Sequence, residues 1–279
     1  NRLESLPDSI ANLVNLMNLD VSANQLVSLP ESIGQLNSLE VLNIENNQIE
    51  ELPWTIGHCK SLIELKADFN NLKAIPEAIG NLANLKILSL HYNCLKGLPT
   101  TMANMKSLVE LDVHFNQLES IPESLCLVTT LEYLNVSSNF ADLKELPACI
   151  GRLQNLKHLD ASYNHLTILP DSFSMLVNLQ TLNLEGNPLR VPPLHIVEQG
   201  KEVSASFSEL LLLPSLMICK LTCNIAPYMT NYFFLFSWIS CKPKLLCFNN
   251  VFRWFYRTWL SKLLGKRENM EDQSGREIG

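Results

Sequence analysis

Positive charge is scarce in this 279-residue chain. Its 21 lysines and arginines face 28 aspartates and glutamates, giving a formal net charge of −7 and a pI near 5.4. A chain so balanced lacks the basic surface that phosphate neutralisation needs, which argues against nucleic acid as the main partner. Catalytic signatures are missing as well. There is no recognisable nucleophile–base pair, phosphate-cradling glycine loop or set of clustered catalytic acids, so an enzyme is not expected. The eight cysteines include no CxxC pair. Cys59 falls at a leucine position and reads as a small core residue; Cys94, Cys126 and Cys149 show no paired spacing. Cys219 and Cys223 are not completed into a zinc pattern by Cys241 and Cys247. The expectation is reduced thiols in a cytoplasmic protein, without disulfide caps or a zinc site.

What the chain has in abundance is self-similarity. Asn24, Asn47, Asn70, Asn93, Asn116, Asn139, Asn164 and Asn187 recur every 23 residues, with one 25-residue unit between Asn139 and Asn164. Pro30, Pro53, Pro76, Pro99, Pro122, Pro147, Pro170 and Pro193 keep step. A period of this length specifies a solenoid of stacked supersecondary units. Within one unit, Leu19 and Val21 alternate as a strand with one buried face requires. Asn24 follows, where an amide can satisfy the backbone groups of an inward turn and form a ladder with its copies. Leu26 and Leu29 point inward, Pro30 starts a short helical turn, and Ile33, Leu36 and Leu39 close a helical or 3₁₀ arc. Acids after the prolines, such as Glu31 and Glu77, suit a helix N-terminus. The fold class expected is an α/β solenoid: a leucine-rich-repeat horseshoe with a parallel concave β-sheet and short 3₁₀ or helical convex segments.

The motif Asn-x-Leu-x-x-Leu-Pro-x-x-Ile-Gly-x-Leu-x-x-Leu is similar to the cytoplasmic class of leucine-rich repeats of Ras-associated scaffolds. SSNFADLKELP at 137–147, with its two-residue insertion, and GNPLRVPPLHIVEQG at 186–200 resemble the plant intracellular Ras-group-related leucine-rich-repeat family. That resemblance covers residues 1 to about 200. It implies a non-enzymatic interaction scaffold in intracellular signal transduction, with a small GTPase or a component of its pathway as partner.

Two domains are read from the pattern: the repeats over 1–201, beginning in mid-repeat as a fragment would, and a divergent tail over 202–279. The tail lacks the charged polar helix and Gly-Val-Tyr-Trp motif that the resembling family implies. It carries an uncharged apolar stretch at 221–241 and a basic amphipathic pattern at 251–267, so membrane association through the tail is an open reading. Two alternatives stand beside the scaffold. One is a membrane-anchored receptor-like protein, for which the single sequon Asn135-Val136-Ser137 and the absent cysteine caps offer little. The other is the regulatory module of a larger enzyme.

Strand residues outside the core line the concave face in rows. One row is Asp20, Asn43, Lys66, Ser89, Asp112, Asn135, Asp160 and Asn183; the next is Ser22, Glu45, Asp68, His91, His114, Ser137, Ser162 and Glu185. Together they hold six acids and one lysine. Phe69, Tyr92, Phe115 and Tyr163 run beside them. Aromatic anchors framed by charge are what a protein-binding surface needs. The expected site is Asp68, Phe69, His91, Tyr92, Asp112, His114, Phe115 and Tyr163, with no cofactor. The alternative role for the rings is packing over the asparagine turn. His91 and His114 are neighbours in one row, and Asp68 beside them suggests a metal or pH-sensitive patch; without an assured third ligand, no metal is expected.

Overall fold

The computed structural model describes residues 1–139 and 143–190. The chain divides into two compact units, Asn1–Thr222 and Cys223–Gly279, and all described residues belong to the first. The readings of the insertion at 140–142, the terminal repeat beyond Arg190, the domain boundary at 201, and the tail segments 221–241 and 251–267 lie outside the described residues. Among the described residues, no helix is long and apolar enough to cross a membrane.

Eight three-residue strands form one parallel sheet in sequence order: β1 (Asn18–Asp20), β2 (Val41–Asn43), β3 (Glu64–Lys66), β4 (Ile87–Ser89), β5 (Glu110–Asp112), β6 (Tyr133–Asn135), β7 (His158–Asp160) and β8 (Thr181–Asn183). Each residue pairs with its copy in the next repeat, as Leu65 with Leu88. The 25-residue unit leaves this register intact, with Leu134 paired to Leu159. The return path of each repeat is a 3₁₀ helix. Seven of the eight are preceded by a proline at N-cap, whose fixed φ, −70° at Pro30 and −64° at Pro53, starts the turn. Between strand and helix lies a core of Leu42, Leu65, Leu88, Ile33, Ile56 and their equivalents, all essentially sealed from water. The leucine-rich-repeat solenoid is the fold of this unit.

Asparagine supplies the polar bond between repeats. Asn70 Oδ1 accepts from the Ile49 amide at 3.0 Å, and its Nδ2 donates to the carbonyls of Ile44, Ala67 and Asp68. Asn93 repeats this on Leu72, Ala67, Leu90 and His91. One amide therefore ties together backbone groups of two consecutive repeats. The acids after the prolines behave differently from the expectation. None of these 3₁₀ helices has a side-chain cap of its own. Glu77 instead reaches across to accept from the amides of Thr100 and Thr101, in the next repeat. A 3₁₀ helix of five residues has too small a dipole to hold its own acid, whereas the neighbouring turn offers free N–H groups.

The glycines after Ile33, Ile56 and Ile79 have a steric cause. A Cβ at Gly34 would lie 2.5 Å from the Thr55 carbonyl oxygen, and Gly57 and Gly80 meet Ala78 and Thr101 in the same way. Consecutive 3₁₀ helices thus touch backbone to backbone, through the fourth residue after one proline and the second after the next.

That contact corrects the reading of two thiols. Cys126 and Cys149 are joined in a disulfide, their Cα atoms 5.9 Å apart. Cys126 occupies the glycine step of its repeat, and Cys149 is the second residue after Pro147. The pair sits at the two positions that meet at Gly34 and Thr55, Gly57 and Ala78, Gly80 and Thr101, and Gly151 and Ser172. Cys59 is buried and free, as expected of a core residue, and burial pushes its thiol up to about 11. Cys94 is free as well.

Candidate functional site

The candidate surface begins with a backbone turn. The residue before each ladder asparagine is left-handed: Ala23, Asn46, Phe69, Tyr92, Phe115, Ser138 and Tyr163 have φ between 50° and 55°, and Gly186 has 71°. The conformation is uncommon for bulky side chains, and three of the seven non-glycine positions are consecutive aromatics. It is held by bonds continuing the sheet: the Phe69 amide donates to the His91 carbonyl and the Tyr92 amide to the His114 carbonyl, both at 3.0 Å.

This fixes the rings in register. Phe69 and Tyr92 stack with centroids 4.5 Å apart and 10° between planes; Tyr92 and Phe115 stack at 4.3 Å and 13°. The separation is close to that of neighbouring strands, so the repeat itself sets the stacking distance. The rings do not fold away into the core. Phe69 is 50% and Tyr92 40% exposed, with Phe115 half-buried. Stacked face to face, they offer solvent their edges, an apolar ridge across three repeats along one margin of the concave sheet.

A second stack runs beside the first. The imidazoles of His91 and His114 lie 4.5 Å apart at 13°, and each meets the aromatic ridge edge-on, His91 with Phe69 at 5.2 Å and His114 with Phe115 at 5.4 Å. Each imidazole has its own carboxylate. His91 Nδ1 is 2.8 Å from Asp68 Oδ1, and His114 Nδ1 is 2.6 Å from Asp112 Oδ1. Asp68 also accepts from the Ser89 hydroxyl at 2.6 Å and the His91 amide at 2.9 Å. Burial works to raise the Asp68 pKa, but the bonds from His91 and Ser89 outweigh it and the carboxyl is held below its usual range. Burial likewise works to lower the His91 pKa, and the hydrogen bond and charge of Asp68 reverse that to a net rise. Glu45 is raised, first by burial and then by its neighbour Asp68.

The structure thus brings seven of the eight expected residues together: Asp68, Phe69, His91, Tyr92, Asp112, His114 and Phe115. Tyr163 stands apart, with Ser138 at the intervening position of the row; its ring is exposed and its hydroxyl donates to Glu185 at 3.0 Å. Asp68 has a different part from the one its row suggests. Only 1% exposed, it orients His91 from below rather than offering charge to a partner. Ser89, not singled out in the sequence, bridges the same pair. The signal for the left-handed turn was Gly186, which stands where the other repeats carry Phe69 or Tyr92. There the glycine takes the left-handed turn without strain, and a Cβ would come within 2.5 Å of the Tyr163 ring.

Three leucine-rich-repeat family models match: a leucine-rich repeat region over residues 4–91, a leucine-rich repeat over 107–127 and another over 129–189. Among solved structures, a leucine-rich-repeat protein of Leptospira interrogans is 34% identical, with a TM-score of 0.68 over 72% of this chain and 52% of its own. The leucine-rich-repeat domain of the type III effector XopL is 27% identical, with a TM-score of 0.62 over 66% of each chain. The Arabidopsis receptor kinase HAESA, solved with the peptide hormone IDA and the co-receptor SERK1, is 36% identical, with a TM-score of 0.57. There the match takes in 67% of this chain and 32% of the receptor. The chain therefore spans about half the length of the Leptospira protein and a third of the receptor. No curated protein matches it.

Proposed function

Taking as premise that the chain carries leucine-rich-repeat domains, we propose that it is a non-enzymatic interaction scaffold that grips a protein partner on the ridge Phe69–Tyr92–Phe115. The observation that carries this reading is the stacked, half-exposed trio of rings fixed in register by three successive repeats. An apolar ridge already ordered in the free protein loses little side-chain entropy on binding. Asp112, Asp160 and Glu185 lie on the adjoining concave face, so a partner segment carrying basic residues is favoured by the field. The finer form of the proposal, a small GTPase or a component of its pathway in cytoplasmic signalling, rests on the resemblance of the repeat motif. Its test is isothermal titration of purified small GTPases, in both nucleotide states, against wild type, Tyr92→Ala and Phe115→Ala. Binding in one nucleotide state that both substitutions weaken supports it; no binding across the panel rejects that partner class.

A second reading is favoured by one observation. The Cys126–Cys149 disulfide suits an oxidising compartment, and the similar receptor kinase HAESA was solved in complex with a peptide hormone and a co-receptor. The ridge would then engage an extracellular peptide or protein. Isolation of the chain from its native cells under thiol-blocking conditions discriminates the two, because a cytoplasmic protein would carry this pair reduced.

A further inference from the structure

We propose that His91, His114 and Asp112 form a binding site for a divalent transition-metal ion, with zinc the member best matched to two imidazoles and one carboxylate. The three side chains come from neighbouring repeats, and one donor atom from each can be chosen so that all lie within 4.8 Å of one another. The carboxylate that completes the set is Asp112, one row away from Asp68, the acid suggested by the sequence.

Four observations converge on a ligand set rather than an ordinary polar cluster. The first is proximity: the two imidazoles stack 4.5 Å apart at 13°, which keeps nitrogens of both rings and a carboxylate oxygen within 4.8 Å of one another. The second is the tautomer. The Ser89 hydroxyl is committed to Asp68 at 2.6 Å, so the proton between Asp68 and His91 Nδ1 resides on the ring and is donated to the carboxylate. The free lone pair of His91 is then on Nε2. A buried carboxylate fixing a ligating histidine in this way is the usual outer support of a metal site, and Asp68 is the positioning residue here. The third is exposure. His91, His114 and Asp112 keep side-chain accessibilities of 21%, 19% and 14%, enough for an ion to enter and for the rings to adjust. The fourth is charge: Asp68, Asp112 and Glu45 surround the imidazoles, while Lys66, the row's lysine, is paired to Glu64 at 2.5 Å.

Closing the site requires modest movement. Zinc–nitrogen and zinc–oxygen bonds of about 2.0–2.2 Å place tetrahedral donors roughly 3.3–3.5 Å apart, so the donors must draw in by on the order of 1 Å. Side-chain rotation supplies that without moving the strands. Three protein donors leave at least one coordination position open, beside the ridge of Tyr92 and Phe115.

The test is calorimetric titration of the whole chain with zinc chloride, in a non-chelating buffer at neutral pH, together with cobalt(II) absorption spectra. The expected result is a single site attributable to these residues. His91→Ala, His114→Ala and Asp112→Asn should each weaken it at least tenfold, Asp68→Asn by about tenfold, and His165→Ala should leave it unchanged. His91→Gln and His114→Gln repeat the test, should an alanine variant fail to fold. Cobalt(II) bound to wild type should show visible ligand-field bands without the near-ultraviolet charge-transfer band of a thiolate. Zinc bound equally by the His91→Gln/His114→Gln double variant, a thiolate band in the cobalt spectrum, or no binding by wild type at micromolar zinc would each overturn the assignment.

Discussion

Cys126 is bonded to Cys149 because the two occupy the closest contact between consecutive 3₁₀ helices, the place where Gly34 meets Thr55 and Gly80 meets Thr101. A contact designed around a missing side chain has been replaced by a covalent one. The disulfide closes a 23-residue loop, for which chain-entropy reasoning gives a stabilisation of about 3 kcal/mol. Digestion of alkylated, unreduced protein should yield one cross-linked peptide pair containing Cys126 and Cys149. In the native protein Cys59 should resist alkylation at pH 8, since its thiol is buried and titrates near 11, while half-exposed Cys94 reacts. Recovery of Cys126 and Cys149 alkylated, from protein purified without reductant, would refute the pairing.

The same contact gives a steric prediction. Gly80→Ala should destabilise the unit by about 1–3 kcal/mol, because the new methyl is driven into the Thr101 backbone. Gly97→Ala, where a Cβ meets nothing within 4 Å, should stay within about 1 kcal/mol of wild type. Equal effects in urea melts would mean that the close approach of the helices is not real.

The asparagine ladder should outrank its size. Asn93→Ala leaves the Leu72 amide and three carbonyl bonds without their partner and should cost on the order of 1–3 kcal/mol. Leu65→Ala, at a fully sealed position of β3, should cost about 2–5 kcal/mol. Chemical denaturation of the two variants checks both figures. An unchanged midpoint for either would contradict the register of the sheet.

These parts were legible because they obey the period. Leu65 and Asn93 can be assigned by counting, as can the strand, the turn and the proline. The disulfide was not, although both cysteines lie within repeats: their contact joins different positions of the motif, and only stacking reveals which positions meet. Asp68 was misleading for a similar reason. Row membership places its backbone on the concave face, but nothing in the spacing shows that Ser89 and His91 fold over it. The stacked rings of Phe69, Tyr92 and Phe115 follow from a left-handed turn that only Gly186 and Asn46 hint at in sequence.

That burial separates two acids which the sequence treats alike. Asp68→Ala should destabilise the fold by about 1–3 kcal/mol, since it strands the Ser89 hydroxyl and the His91 amide. Glu185→Lys, on the exposed part of the concave face, should leave stability within about 1 kcal/mol but slow association with a basic partner, less so as salt rises. Thermal melts and stopped-flow association at two ionic strengths distinguish these outcomes.

Site-specific photo-crosslinking in the native cells shows whether a partner protein sits on the Phe69–Tyr92–Phe115 ridge. A benzophenone side chain replaces Tyr92 in one variant and Glu31, on the opposite 3₁₀ arc, in another. A discrete cross-linked protein adduct is expected from position 92, competed away by excess wild-type chain, and none from position 31. The same adduct from both positions, or an adduct from position 31 alone, would contradict it.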